Sequence, residues 1–214
     1  MINKLFAVLI LLALFPMLLL ISFSLLILQG KPIFFYHNRV GKNNTIFYLV
    51  KFRTMINNNY GSEITEINDK RITRAGRLLR KLKFDELPQI INILKGDINF
   101  VGPRPEIEKY VNQYDFSFLN KIKPGLTDFS SILFAREETL LSKLGGVNHY
   151  QKILPIKLEL INHYINVRSF WVDYKIILLT VLSFVVPKFV KNQIIKDINK
   201  KNPSLVRKIT AIGL

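Results

Sequence analysis

The chemistry in this chain gathers around Asp85-Glu86-Leu87-Pro88-Gln89, where two carboxylates stand side by side. They follow a run of cations (Arg71, Arg74, Arg77, Arg80, Lys81 and Lys83) that meets no acid before Asp85. Further on, Ile98-Asn99-Phe100-Val101-Gly102-Pro103-Arg104-Pro105-Glu106 holds an arginine between two prolines. Proline fixes its own φ and pushes the preceding residue to an extended conformation, so Arg104 is pre-positioned for forked contacts with phosphate oxygens. Paired carboxylates can ligate a divalent cation through hard oxygens, and one of them can attack phosphorus. Both uses suit a phosphorylated substrate held by the surrounding cations. The plainer reading is a helix cap: acids favour a helix N-terminus, and Pro88 suits a first turn.

Two more cations belong to this set. In Lys51-Phe52-Arg53-Thr54-Met55, Lys51 and Arg53 alternate with apolar residues and are expected on one strand face. Arg74 and Arg77 recur at a spacing of three, along one slanting helix stripe. His37, His149 and His163 lie at no metal-ligand spacing, and without cysteine there is neither a disulfide framework nor a thiolate metal site. The net charge of +16, from 31 Lys+Arg against 15 Asp+Glu, calls for an anionic partner: nucleic acid, lipid headgroups or phosphorylated small molecules.

The elements that must position these groups begin with an apolar run. Leu5 to Leu28 is 24 residues without a charge, about 36 Å as a helix and long enough for a bilayer. It is too long for a signal-peptide core. Pro16 lies at its centre, where it removes a backbone hydrogen bond and kinks or breaks the helix. Lys4 precedes the run, and Lys31, Arg39 and Lys42 follow it, so the charge rule for orientation votes both ways. A helix that bends at Pro16 and returns to the same face resolves both conflicts, with Ser22 or Ser24 serving the freed backbone groups. A kinked span remains the alternative.

Ile33–Tyr36 and Thr45–Val50 read as a hairpin, and residues 56–69 as a polar loop able to act as a lid. Thr73 to Leu94 reads as helical, Lys95-Gly96-Asp97 as a turn, and residues 98–101 as a short strand. Pro155 to Tyr164 reads as an amphipathic helix. Ile176 to Val186 is too short to span, but with Trp171 and Tyr174 at one end and Lys188 and Lys191 at the other it suits a membrane interface. A basic tail is expected from Lys191. The fold class is α/β, helix-rich with a small sheet. Its expected divisions are a membrane-anchoring helix at 1–30, a catalytic domain at 31–190 and a tail at 191–214.

Taken in order, the proline-centred apolar helix, Lys51–Met55, Arg71–Arg80, Asp85–Gln89, Lys95–Asp97, Val101–Glu106, Pro124-Gly125-Leu126-Thr127 and Ser169–Ile176 resemble the bacterial sugar transferases, the monotopic phosphoglycosyl transferases. The resemblance implies transfer of a sugar 1-phosphate from a UDP-sugar to undecaprenyl (polyprenyl) phosphate with release of UMP, initiating glycan assembly such as exopolysaccharide, capsule or O-antigen. It implies a re-entrant N-terminal helix and a compact catalytic domain with interfacial helices on the cytoplasmic face of the bacterial inner membrane. Asp85 is then the nucleophile that carries a covalent phosphosugar. Glu86, with Asp85, holds Mg²⁺, and Arg104 and Lys51 hold phosphate oxygens, with Arg53, Arg74 and Arg77 as further candidates. No nucleic-acid partner is implied, and oligomerisation stays open. The chain departs from the family at Phe15, where Ser is common. It departs again at Asp128–Phe134, in place of a Gly-Trp-Ala-Gln-Val-Asn-Gly run, so the identity of the sugar is not readable. The competing class is a basic, membrane-anchored binding module without catalysis, which leaves the carboxylate pair and Pro-Arg-Pro without a purpose.

Overall fold

The structure is a computed structural model that describes residues 2–56, 65, 69–145 and 150–214. Most of the loop expected at 56–69, with Gly61, and His149 lie outside the described residues. The chain forms two compact units. The first holds the described residues of Met1–Asn59 and Lys70–Leu126, and the second those of Tyr60–Asp69 and Thr127–Leu214. Helix dominates both, with two small two-stranded sheets.

The first unit opens with α1 (Ile2–Gln29), which carries Pro16 inside it. Among the described residues it is the one helix long and apolar enough to cross a membrane. Two patches of core seat it. Ala7, Ile10 and Leu11 pack with Leu49, Ile90, Ile93 and Ile98. Met17, Leu18, Ile21 and Leu25 pack with Phe52, Leu79, Phe84 and Leu87. These positions recur at three and four, one stripe of a helix. Leu5, Leu9, Leu12, Phe15, Leu20, Phe23 and Ile27 on the remaining faces are exposed. The carbonyl freed by Pro16 is that of Leu12, four residues earlier. Neither serine serves it: Ser22 Oγ donates to Leu18 O (2.7 Å) and Ser24 Oγ to Leu20 O (2.8 Å).

β1 (Phe34–Val40) and β2 (Ile46–Phe52) form the expected antiparallel hairpin, with Phe35 opposite Lys51, His37 opposite Leu49 and Arg39 opposite Phe47. Side chains alternate along a strand, so Phe35, His37 and Arg39 share a face with Phe47, Leu49 and Lys51. After β2 the backbone turns into α2 (Arg74–Leu82) through Met55 pairing with Ile72 and Thr73 N donating to Thr54 O (3.0 Å). Thr73 caps α2 by accepting from Gly76 N (2.9 Å).

The helical stretch expected over 73–94, with a new helix or a kink near Asp85, is three pieces. Lys83 takes a left-handed conformation (φ 58°, ψ 20°) and stops α2. A 3₁₀ turn follows over Phe84–Gln89, and then α3 (Ile90–Lys95). At three residues per turn, positions i and i+3 eclipse. Phe84 and Leu87 therefore stack together on the core side, and Asp85 and Glu86 project elsewhere.

Asn92, fully buried on α3, fixes this turn beneath the hairpin. It accepts from Val50 N (3.0 Å) and donates to Tyr48 O (2.7 Å) and Asp97 Oδ2 (2.9 Å). β3 (Asn99–Val101) pairs with β4 (Gly125–Thr127), and the short α4 (Glu108–Val111) lies between them in sequence. Gly102 and Gly125 meet so closely that a Cβ on Gly125 would lie 2.2 Å from Gly102 N. No side chain fits there, and Gly125 N donates to Pro103 O (2.8 Å).

The second unit contains α5 (Phe129–Leu133), α6 (Glu137–Leu144), α7 (Tyr150–Val167), α8 (Phe170–Ser183), α9 (Pro187–Lys201) and α10 (Pro203–Ala211). α7 extends beyond the expected 155–164 and includes Pro155, because Ile153, Leu154 and Ile156 are all buried core positions. The basic stretch from Lys191 is helical: α9 spans Pro187–Lys201 and α10 follows. Val190, Ile194 and Ile198 on α9, with Leu205 and Ile209 on α10, are fully buried. Their apolar spacing of four outweighs the lysines between them. On α8, Ile176 and Leu179 face inward, while Trp171, Tyr174, Leu178 and Val181 form an exposed apolar stripe.

Candidate active site

The carboxylates of the 3₁₀ turn have unlike surroundings. Glu86 is locked in place. Arg104 grips it with both terminal nitrogens, Nη1 reaching Oε2 at 3.1 Å and Nη2 reaching Oε1, and Lys51 Nζ donates to Oε1 at 3.1 Å. The Glu86 side chain is only 14% exposed. Burial opposes its charge, but Arg104 and Lys51 outweigh burial and hold the Glu86 carboxyl well below its usual range. Asp85 is buried too, yet its Oδ1 has no hydrogen-bond partner. Burial first, and then the charge of Glu86, push the Asp85 carboxyl above its usual range against the pull of Lys51, Lys83 and Arg80. An adjacent pair with pKa values driven apart is the signature of two groups with different work. Burial also lowers the Lys51 ammonium, partly offset by Glu86.

The turn, β2 and the Pro-Arg-Pro loop thus converge, bringing together Asp85, Glu86, Lys51 and Arg104. Arg53 is placed elsewhere: its Nη2 donates to Gln29 O (2.6 Å), the last carbonyl of α1, and to Gly30 O (2.8 Å) just past it. A cation there satisfies orphan acceptors and complements the helix dipole. β2 ends at Phe52, so the alternation that pairs Arg53 with Lys51 fails one residue later. Arg74 and Arg77 are exposed on α2, while the charges that bear on Asp85 from this run are those of Arg80 and Lys83.

The sequence reading missed Arg39 and Glu106. Arg39 Nη1 donates to Glu106 Oε1 (3.0 Å) and Pro105 O (3.3 Å), tying β1 to the loop that carries Arg104. The available signal was the strand register, which sets Arg39 on the face that carries Lys51.

No cluster of three His, Cys, Asp or Glu suited to a metal exists among the described residues. The donor set for a hard cation is the unpartnered Asp85 Oδ1 and Glu86 Oε2, which has accepted one hydrogen bond of the two that its lone pairs allow. Mg²⁺ commonly takes one or two carboxylates and completes its shell with phosphate oxygens and water, so two carboxylates fit it alongside a diphosphate.

A buried carboxylate pair thus lies in a cationic cradle, on the unit that carries the apolar helix α1. The chain belongs to the bacterial sugar transferase family, whose sequence model matches residues 1–187. It is 35% identical over 190 residues to the UDP-glucose:undecaprenyl-phosphate glucose-1-phosphate transferase of Escherichia coli (strain K12), covering 85% of this chain and 39% of that protein. It is 34% identical over 157 residues to the UDP-N-acetylgalactosamine-undecaprenyl-phosphate N-acetylgalactosaminephosphotransferase of Aeromonas hydrophila, covering 70% of this chain and 34% of that protein. It is 37% identical over 161 residues to the uncharacterized sugar transferase EpsL of Bacillus subtilis (strain 168), covering 73% and 72%. The chain therefore spans little more than a third of the Escherichia and Aeromonas relatives and nearly three quarters of the Bacillus one.

Proposed function

We propose that this chain transfers a sugar 1-phosphate from a UDP-sugar to undecaprenyl phosphate, as the names of its relatives describe for those proteins. The carrying observation is the split carboxylate pair: Glu86 gripped by Arg104 and Lys51, Asp85 buried with a free oxygen. Asp85 attacks the sugar-bearing phosphorus, the bond from that phosphorus to the bridging oxygen breaks, and UMP leaves with that oxygen. The phosphosugar stays on Asp85. A phosphate oxygen of the polyprenyl acceptor then attacks the same phosphorus and releases the Asp85 carboxylate, giving a polyprenyl-diphosphate sugar. Arg104 and Lys51 turn from Glu86 toward phosphate oxygens, cancelling the repulsion between an attacking anion and an anionic donor. Asp85 and Glu86 would hold Mg²⁺, which would supply further charge neutralisation on the diphosphate. A panel of UDP-sugars incubated with undecaprenyl phosphate and Mg²⁺ should release UMP with at least one donor. Silence across the panel, in membranes that contain the folded protein, would reject the reading in favour of a binding module.

We also propose attachment to one face of the cytoplasmic membrane. The C-terminal end of α1 is tied to the same unit, and its N-terminal end lies beside it. Arg53 holds the carbonyls at its C-terminal end. Lys4 Nζ lies with Lys123 Nζ around Gly96, each within 4 Å of where its Cβ would stand. The exposed apolar faces of α1 and the Trp171–Val181 stripe of α8 suit acyl chains and the interface. The chain has no native cysteine, so Lys4→Cys and Lys42→Cys can each be probed with an impermeant maleimide. Both should react from the cytoplasmic side, and labelling from opposite sides would overturn this topology.

A further inference from the structure

Arg104 reaches Glu86 from a loop with little regular structure of its own, so something must hold its backbone. Upstream, the prolines fix φ, and Pro103 O accepts from Gly125 N at 2.8 Å. Downstream, β1 does the holding. Arg39 Nη1 donates to Pro105 O (3.3 Å) and to Glu106 Oε1 (3.0 Å), and Val40 N donates to Glu106 O (2.9 Å). The two residues after Arg104 are thus gripped by one guanidinium and one backbone amide of the strand. Glu106 Oε1 also accepts from Ile107 N (3.1 Å), which fixes the carboxylate that Arg39 reads. The side chains of Arg39 and Glu106 are only 17% and 13% exposed.

Arg39 is itself aimed. Its Nη2 lies 3.3 Å from His37 Nδ1. Burial, then Arg39 and Lys51, lower the imidazole to about 4, so at neutral pH the ring is uncharged and Nδ1 can accept. His37, Arg39 and Lys51 share one face of the hairpin. One rigid ribbon therefore supplies Lys51 to Glu86 directly and Arg39 to the loop whose arginine grips the same Glu86.

We infer that the Arg39–Glu106 pair is a positioning device: it sets the direction of Arg104 and with it the anion-binding strength of the site. Neither residue need touch the donor. The inference rests on the phosphate-binding role given to Arg104 above. A buried ion pair is weak evidence for stability in itself, whereas a displacement of about 1 Å at a positioning group can cost on the order of 10²-fold in rate.

The test is a double-mutant cycle between Arg39→Met, which keeps length and apolar packing, and Arg104→Ala. It is read by UMP binding calorimetry and by kcat and KM for the UDP-sugar that the panel identifies. Arg39→Met alone should weaken UMP binding and lower kcat/KM roughly 10- to 100-fold. On the Arg104→Ala background it should cost less than threefold more, because the group it positions is gone. Arg39→Lys, which keeps the charge but has one nitrogen and cannot engage the loop and His37 together, should fall between wild type and Arg39→Met. It also serves as the readout if Arg39→Met does not fold. Equal losses on both backgrounds, or Arg39 variants with wild-type UMP affinity, would overturn the inference. A wild-type protein that neither binds UMP nor releases it would instead overturn the function on which the inference rests.

Discussion

Asp85→Asn is expected to abolish sugar-phosphate transfer, lowering kcat on the order of 10⁴-fold or more, as removal of a covalent nucleophile does. It should also leave the protein folded and slightly more stable. Burial and Glu86 raise the Asp85 pKa above its ordinary value of 3.8. A group raised in this way stabilises the fold below its unfolded pKa, and that contribution is lost as pH rises through the folded value. At neutral pH the ionised Asp85 is thus a burden, and a neutral amide of the same shape relieves it. A higher midpoint on thermal unfolding, together with lost UMP release, would separate chemistry from folding. With wild-type protein and donor, intact mass measurement should show a phosphosugar adduct, and Asp85→Asn should show none. The same shift sets the acid limb of the rate: turnover should rise with pH as Asp85 ionises, with a midpoint above 3.8. Retained turnover in Asp85→Asn would remove the covalent route.

Arg104→Ala is expected to have the second largest effect, a fall in kcat/KM of roughly 10²- to 10³-fold, the cost of losing a pre-organised donor to developing negative charge. Two losses combine in it. The donor phosphates lose a forked cation, and Glu86 loses the strongest of the attractions that hold its carboxyl down. That carboxyl contributes stability above its ordinary pKa of 4.5, lost as pH falls through the lower folded value. Without Arg104 the folded value moves up, so the loss should set in at a higher pH. Arg104→Lys should recover only part of the rate, because an ammonium offers a point charge and no fork. Full activity in Arg104→Ala would mean that Lys51 alone satisfies the donor.

The parts of this arrangement that were readable in the sequence are those with local signals. α1, the hairpin and the proline-bracketed Arg104 each announce themselves by composition or by a fixed dihedral. Pro88 signals a new helix or a kink near Asp85, and the break falls there; only its exact place at Lys83 has no signal, because nothing about a lysine marks a left-handed residue. Arg53 was assigned by alternation to the site, but the strand ends one residue earlier and the side chain turns to α1. The helices beyond Lys191 were hidden by lysines that sit between their buried positions. The unlike surroundings of Asp85 and Glu86 are invisible in the sequence itself, where the two are neighbours of similar type. Only the tertiary partners, Arg104 and Lys51 on one and burial on the other, tell them apart.

The seating of α1 bears on how the protein comes to exist. Leu49, Phe52, Ile90 and Ile93 bury their side chains in clusters completed by residues of α1. The apolar helix α1 is therefore a wall of the first unit's own interior. Deleting residues 1–30 to obtain a water-soluble enzyme would unroof those clusters and leave a sticky, half-built body. Folding of the first unit therefore requires α1, and the stability of that unit cannot be separated from the helix that completes its core.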